Sequence, residues 1–243
     1  MATVILVRHG RTSANVGGVL AGRTPGVRLD ETGLAQAGRT AARLGPVPLS
    51  AVVSSPLERC KQTAQAVLRA QREAGRELRL LTDKGLTECD YGEWQGRPLK
   101  DLAKEPLWKV VQSQPSAATF PGGESLGAMQ ARVVDAVRRR DAAVEKTHGP
   151  GAVWAAVSHG DLVKALLADA LGMHLDLFQR LHVDPASISI VRYTATRPFV
   201  LATNTHDGDL TWLAPLAKKG RRRAAASSDA TVGGGAGPVA ATS

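Results

Sequence analysis

Only two cysteines, Cys60 and Cys89, occur in the 243 residues, which rules out a disulfide framework, and neither lies in a CxxC or histidine-rich setting that would hold zinc. Both are read as reduced thiols with a packing role. No apolar run approaches the ~18 residues that a spanning helix needs. The first run, Val4 to Val7, is too short for a signal peptide. The sequence is therefore read as cytoplasmic, with no membrane partner. Acidic residues are in deficit, 22 against 31 Lys and Arg, for a net charge of +9. That balance suggests nucleic acid only until the charge is located. Beyond residue 216, Lys218, Lys219, Arg221, Arg222 and Arg223 face Asp229 alone, so the rest of the chain carries +5 of the +9. A moderately basic body suits small anionic substrates, and nucleic acid is not read as a partner.

From Ala224 onward large apolar side chains are nearly absent, so the segment has little with which to offset the entropy of ordering. Residues 217–243 are read as a basic, low-complexity, disordered tail behind a single domain, 1–216. No internal repeat is visible in that domain. Short β-branched runs alternate with amphipathic stretches. Strands are predicted at Thr3–Val7, Leu49–Ser54, Ala152–Val157, Ser187–Thr194 and Phe199–Asn204, with a further one at Glu77–Leu80. Helices are predicted at Glu31–Leu44, Pro56–Gln71, Ser125–Thr147 and Asp161–Leu171, and at Pro98–Gln112 with a break at Pro106. The alternation implies an α/β fold: a mostly parallel sheet between helical layers, with the last two strands paired antiparallel at an edge.

Three strand ends carry polar clusters, and in open α/β sheets such ends converge on one crevice. In the first, VILVRHGRTSAN, His9 is held just past a buried strand, Arg8 supplies a permanent planar cation, and Gly10 is read as clearing the way for a ligand. An imidazole there can accept a phosphoryl group if one nitrogen is unprotonated and a backbone carbonyl holds the other nitrogen's proton. In the second cluster, SSPLERCKQT, Ser55 is read as a helix cap with Pro56 at the first position. Arg59 then reaches back to form, with Arg8, a clamp for phosphoryl oxygens. The third cluster, SHGD, offers His159 as a donor to those oxygens. His148, His174, His182 and His206 lack a strand-end setting and are read as solvated or packing residues. Expelling an alkoxide needs a general acid, and Glu88 in the loop LTECDYGEWQG is the candidate.

With RHGRTSAN, SSPLERCKQT, LTECDYGEWQG, PGGES and SHGD in order from Val4 to about Asn204, the chain resembles the histidine phosphatase superfamily, and within it an actinobacterial subgroup of phosphomutase-like proteins. The resemblance implies a three-layer αβα sandwich of the phosphoglycerate mutase type. It also implies metal- and cofactor-free chemistry through a phosphohistidine at His9, with Arg8, Arg59 and His159 as the phosphate pocket and Glu88 as proton donor. It assigns substrate contact to Asn15 and to the Gly22-Arg23 segment at the entrance. Thr12 and Gly160, in the same motifs, are taken with them as substrate-binding. Arg11 stands where the family commonly has Glu, which leaves the entrance electrostatics open.

The expected reaction is hydrolysis of a small phosphomonoester. A mutase is the alternative, and the short segment between Glu88 and His159 disfavours it, because glycolytic mutases of the family carry a longer covering insertion there. A non-catalytic binder with a polyanion-binding tail is a further alternative, set against the presence of every expected site residue. Residues 98–122 are read as the cover of the site, and Lys100 and Lys104 as a solvated helix face rather than a carboxylate site. The oligomeric state, a homodimer included, is left open.

Overall fold

The computed structural model describes residues 2–206 and Leu210, and the expected tail lies outside the described residues. Among the described residues the strands are β1 (Thr3–Arg8), β2 (Leu49–Ser54), β3 (Leu80–Thr82), β4 (Val153–Ser158), β5 (Ile188–Tyr193) and β6 (Pro198–Thr205), and the helices include the short α1 (Ser13–Val16), α4 (Leu99–Leu102) and α5 (Pro106–Ser113) besides the longer ones of the two layers. The strands form one sheet in the order β3-β2-β4-β1-β5-β6. The first four strands run parallel, β5 is antiparallel to β1, and β6 closes the edge antiparallel to β5.

Strand periodicity places the helices. Ile5, Val7, Ala155 and Val157 face one layer, where α2 (Glu31–Leu44) and α3 (Glu58–Glu73) bury Ala37, Ala41, Leu44, Ala64 and Val67. Val4, Leu6, Trp154 and Ala156 face the other layer, against α6 (Leu126–His148) and α7 (Gly160–Ala170). Each fully buried aliphatic side chain in these two cores contributes roughly 1.5–3 kcal/mol. Asp141 of α6 is itself buried and accepts from the Ala2 amide (3.3 Å) and from Trp154 Nε1 (3.0 Å), tying that helix to β1 and β4. The three layers and the antiparallel edge pair are those expected from the sequence.

Most boundaries fall within one residue of expectation, and two elements are displaced by more. The strand predicted at Glu77–Leu80 is Leu80–Thr82, because only those residues reach Val52–Ser54 of β2. Helix α3 starts at Glu58, not Pro56, and its cap position, Leu57, has no side-chain hydrogen bond. Ser55 Oγ accepts from the Leu57 amide (3.4 Å), ahead of the first turn rather than within it, and also meets His159 Nε2 at 2.8 Å. The break at Pro106 falls as predicted, separating two short helices, Leu99–Leu102 and Pro106–Ser113. Ser125 caps α6 by accepting from the Ala128 amide.

Gly10 is required by packing rather than by a ligand. A Cβ on Gly10 would lie 2.5 Å from the carbonyl oxygen of Gly33, and one on Gly33 would lie 1.9 Å from that of Arg11. The segment following β1 therefore runs backbone against backbone past the first turn of α2. Gly33→Ala is expected to destabilise the fold by about 1–3 kcal/mol, the usual range for overpacking. Equilibrium urea denaturation checks it, and an unchanged midpoint would show that the contact can relax without loss.

Candidate active site

The carboxyl ends of β1, β2 and β4 carry His9, Ser55 and His159 to one place, and the loop after β3 brings Glu88. His9 is 4% exposed. Its Nδ1 lies 2.7 Å from the Gly10 carbonyl, so that nitrogen holds the proton and Nε2 presents its lone pair. Arg59 Nε donates to Nε2 at 3.3 Å. Burial, reinforced by the Arg59 and Arg8 charges, holds the imidazole well below its usual pKa of 6.5 and therefore neutral.

Arg59 is 2% exposed and spans the site. Its Nη2 donates to the Gly22 carbonyl (2.7 Å) and to His159 Nδ1 (3.2 Å). Arg8 Nη1 donates to the Val183 carbonyl (2.6 Å), in the loop before β5. Arg8 Nε and Arg59 Nη1 are buried donors with no acceptor among the described residues. Unmatched buried donors are costly, so two of them from two guanidinium groups beside a neutral imidazole mark a place prepared for an anion.

His159 is fully buried and does not line the cavity; it touches the site through Arg59, and its ring centre is 5.3 Å from that of His9. Because Arg59 donates to Nδ1, Nε2 carries the proton and donates to Ser55 Oγ. Burial, followed by the charges of Arg59, His9 and Arg8, pushes its pKa well down and holds the ring neutral. Cys60 Sγ lies 3.4 Å from the same Nε2, and burial raises the thiol to about 12, leaving it a packing group. Cys89 is likewise a buried free thiol.

Glu88 is 8% exposed, and its Oε1 accepts from the Cys89 amide (3.0 Å) while Oε2 lies 3.5 Å from His159 Nδ1. Burial, with Asp161 adding its charge, pushes this carboxyl up to about 7 against the pull of Arg59 and Arg8. Such a group can carry a proton near neutral pH. Asp161 accepts from the Tyr91 hydroxyl at 2.7 Å, which fixes the wall beside Glu88.

These groups border an open cavity of about 170 Å³, into which Thr12, Asn15, Gly22 and Gly160 also face. Thr12 and Asn15 hold each other, both the amide and the hydroxyl of Thr12 donating to Asn15 Oδ1, so Asn15 Nδ2 is the amide atom left for a ligand. Gly160 lies against the Arg8 guanidinium, 3.4 Å from a would-be Cβ.

Arg23 departs from the entrance role expected of it. Its guanidinium donates to the Glu88 carbonyl, Asp90 and Glu124, bracing the Glu88 loop from outside the cavity. Arg11 pairs with Asp30 at 2.8 Å and also stays out of the cavity. The cover is thinner than expected: of residues 98–122 only Leu99 lines the cavity, while Leu102, Val111, Ala118 and Phe120 are buried in the core. Val19, Leu20 and Ala21 form the wall instead.

Sequence reasoning missed three contributors. Ser55 was assigned to the helix because Ser-Pro has the pattern of a cap. The acid in the first turn of α7, two residues after the strand-end histidine, is the available signal for Asp161. Val183 acts through its carbonyl, which no side-chain pattern reveals.

Residues 4–206 match the profile of the family described as histidine phosphatase superfamily (branch 1). The chain is 36% identical over 197 residues to a bifunctional protein of Mycobacterium tuberculosis, covering 79% of this chain and 50% of that one, so it spans about half the length of that relative. It is 30% identical over 210 residues to phosphoserine phosphatase 1 of Hydrogenobacter thermophilus, covering 84% and 92% of the two chains. Among solved structures, the α-ribazole phosphatase of Shigella flexneri superposes with a TM-score of 0.71 at 27% identity, over 84% of this chain and 96% of that one.

Proposed function

The chain belongs to the histidine phosphatase superfamily, and from that premise we propose that it hydrolyses small phosphomonoesters through a phosphohistidine at His9. The observation that carries this reading is the neutral His9 imidazole, with Nε2 unprotonated, set beside two guanidinium groups that each keep a buried donor unmatched among the described residues. In the proposed reaction Arg8 and Arg59 take the phosphoryl oxygens and His9 Nε2 attacks phosphorus. The N–P bond forms as the ester P–O bond breaks, and Glu88 gives its proton to the departing oxygen. Glu88, now a carboxylate, removes a proton from water, whose oxygen attacks phosphorus and breaks the N–P bond. Inorganic phosphate leaves and His9 is restored. His159 holds Arg59 from behind, and Thr12, Asn15, Gly22 and Gly160 shape the floor and rim.

The pH dependence follows from the two shifts. Glu88 must be protonated to donate, so kcat/KM for an alkyl phosphate is expected to fall about tenfold per pH unit above pH 7. His9 stays unprotonated well below pH 6.5, so its protonation does not limit the rate in the neutral range. A profile measured from pH 5 to 9 that is flat on the alkaline side would remove Glu88 from the proton-donor role.

The alternative of phosphoryl return to a second hydroxyl, as in a mutase, is separated by products. Free phosphate in proportion to substrate consumed is expected, whereas rapid isomerisation of 3-phosphoglycerate with little release would reverse the assignment.

A further inference from the structure

The cavity lining is sparing with positive charge. Among the described residues that line it, Arg8 and Arg59 are the only cations, and Arg59 reaches His9 directly. The rest of the lining includes Val19, Leu20, Ala21 and Leu99, and the carboxyl groups Glu88 and Asp161 lie close enough to Arg8 to act on its charge. Leu99 is 38% exposed despite its apolar side chain, and Val16, one residue past Asn15, is 65% exposed. The nearby cations are turned elsewhere. Arg11 is on Asp30, Arg23 is on Asp90 and Glu124, Lys104 is on Asp101, and Lys164 donates to Gln179 over the Phe178 ring, 4.0 Å from Asp161. Lys100 is exposed and does not line the cavity.

Resting on the phosphatase reading above, we propose that the substrate's alcohol half is small, uncharged and apolar, and that the pocket discriminates against alcohols bearing a carboxylate or a second phosphate. Those two cations, Arg8 and Arg59, are taken by the phosphoryl group being transferred. A second anion on the alcohol would then find no further cation among the described lining residues to compensate its lost hydration. The apolar wall gains instead from covering an alkyl or aryl chain, and the cavity volume suits a metabolite at the small end of ligand size. The same charge layout works against a sugar-acid mutase, whose substrate keeps its carboxylate throughout.

Phosphate release by the full chain, compared between propyl phosphate, its carboxylate analogue 3-phosphonooxypropanoate and 1,3-propanediol bisphosphate, tests the proposal. The neutral ester is expected to exceed both anionic ones in kcat/KM by about tenfold or more, an effect of one uncompensated charge at close range. Leu99→Lys is expected to narrow that ratio by placing a cation on the wall. Equal or better turnover of the carboxylate ester by the parent chain would overturn the inference while leaving the phosphatase reading intact. So would a ratio unmoved in Leu99→Lys. No release from any ester, p-nitrophenyl phosphate included, would instead overturn the phosphatase reading itself, and the inference with it.

Discussion

His9→Ala is expected to lower turnover of any phosphomonoester by about 10⁴-fold or more, the scale of loss when a covalent nucleophile is removed. The loss should be chemical rather than structural. The His9 side chain makes one local bond, to the carbonyl of the next residue, and receives one from Arg59, while the backbone of β1 is held independently by β4 and β5. The circular dichroism spectrum and the melting transition should accordingly stay close to those of the parent. Arg8 and Arg59 remain, so the variant should still bind a phosphate ester or vanadate. Rapid quenching under alkaline conditions with a labelled ester should give acid-labile phosphate on the parent chain, at His9 on peptide mapping, and none on the variant. Turnover within tenfold of the parent by a folded variant would sink the phosphohistidine mechanism.

Glu88→Gln separates the two halves of the reaction. With an alkyl phosphate, whose leaving oxygen needs a proton, kcat/KM is expected to fall by about 10²- to 10⁴-fold. With p-nitrophenyl phosphate the leaving group departs as a stable anion, so kcat/KM should fall by less than about tenfold. The second half still needs a base to activate water, so kcat for the good substrate should drop far more than kcat/KM. A burst of nitrophenolate equal to the enzyme concentration should then appear as phosphoenzyme accumulates. Glutamine preserves the size of the side chain and its oxygen toward the Cys89 amide, which keeps the loop in place. Equal losses for both esters without a burst would mean that Glu88 acts by shaping the pocket rather than by moving protons.

Much of this arrangement was legible because it follows from rules that act locally. The run Val4–Val7 ending in Arg8 and His9 says that a strand stops where a polar group must be held, and the same logic located Ser158-His159. The topology followed from alternation, since parallel neighbours need helices between them and the final two strands have none. What could not be read depends on long-range contacts. Ser55 meets both the Leu57 amide that its Ser-Pro setting suggests and a histidine more than a hundred residues away, and only the first is visible in the local sequence. Arg23 and Arg59 are both arginines near the same rim, yet one braces a loop and the other spans the site, because Asp90 and Glu124 fold against the first. Gly10 reads in the sequence as clearing the way for a ligand, whereas the contact that excludes a side chain there is the Gly33 carbonyl, which comes from a distant helix start.

The position of β1 at the centre of the sheet also governs when the protein can become active. The strand is paired at registers such as Thr3 with Val153 and Thr3 with Arg192, so β1 leaves the ribosome well before either of its neighbours. At about 5–20 residues per second, some 150 residues of synthesis leave Val4–Val7 with both edges bare for roughly 8–30 s. Parallel pairing across such a separation is slow, because the loop must close before any contact rewards it. A nascent chain therefore passes through a long interval as a sticky apolar segment attached to an unbuilt nucleophile. Its dependence on chaperones should be set by that delay rather than by the stability of the finished sheet.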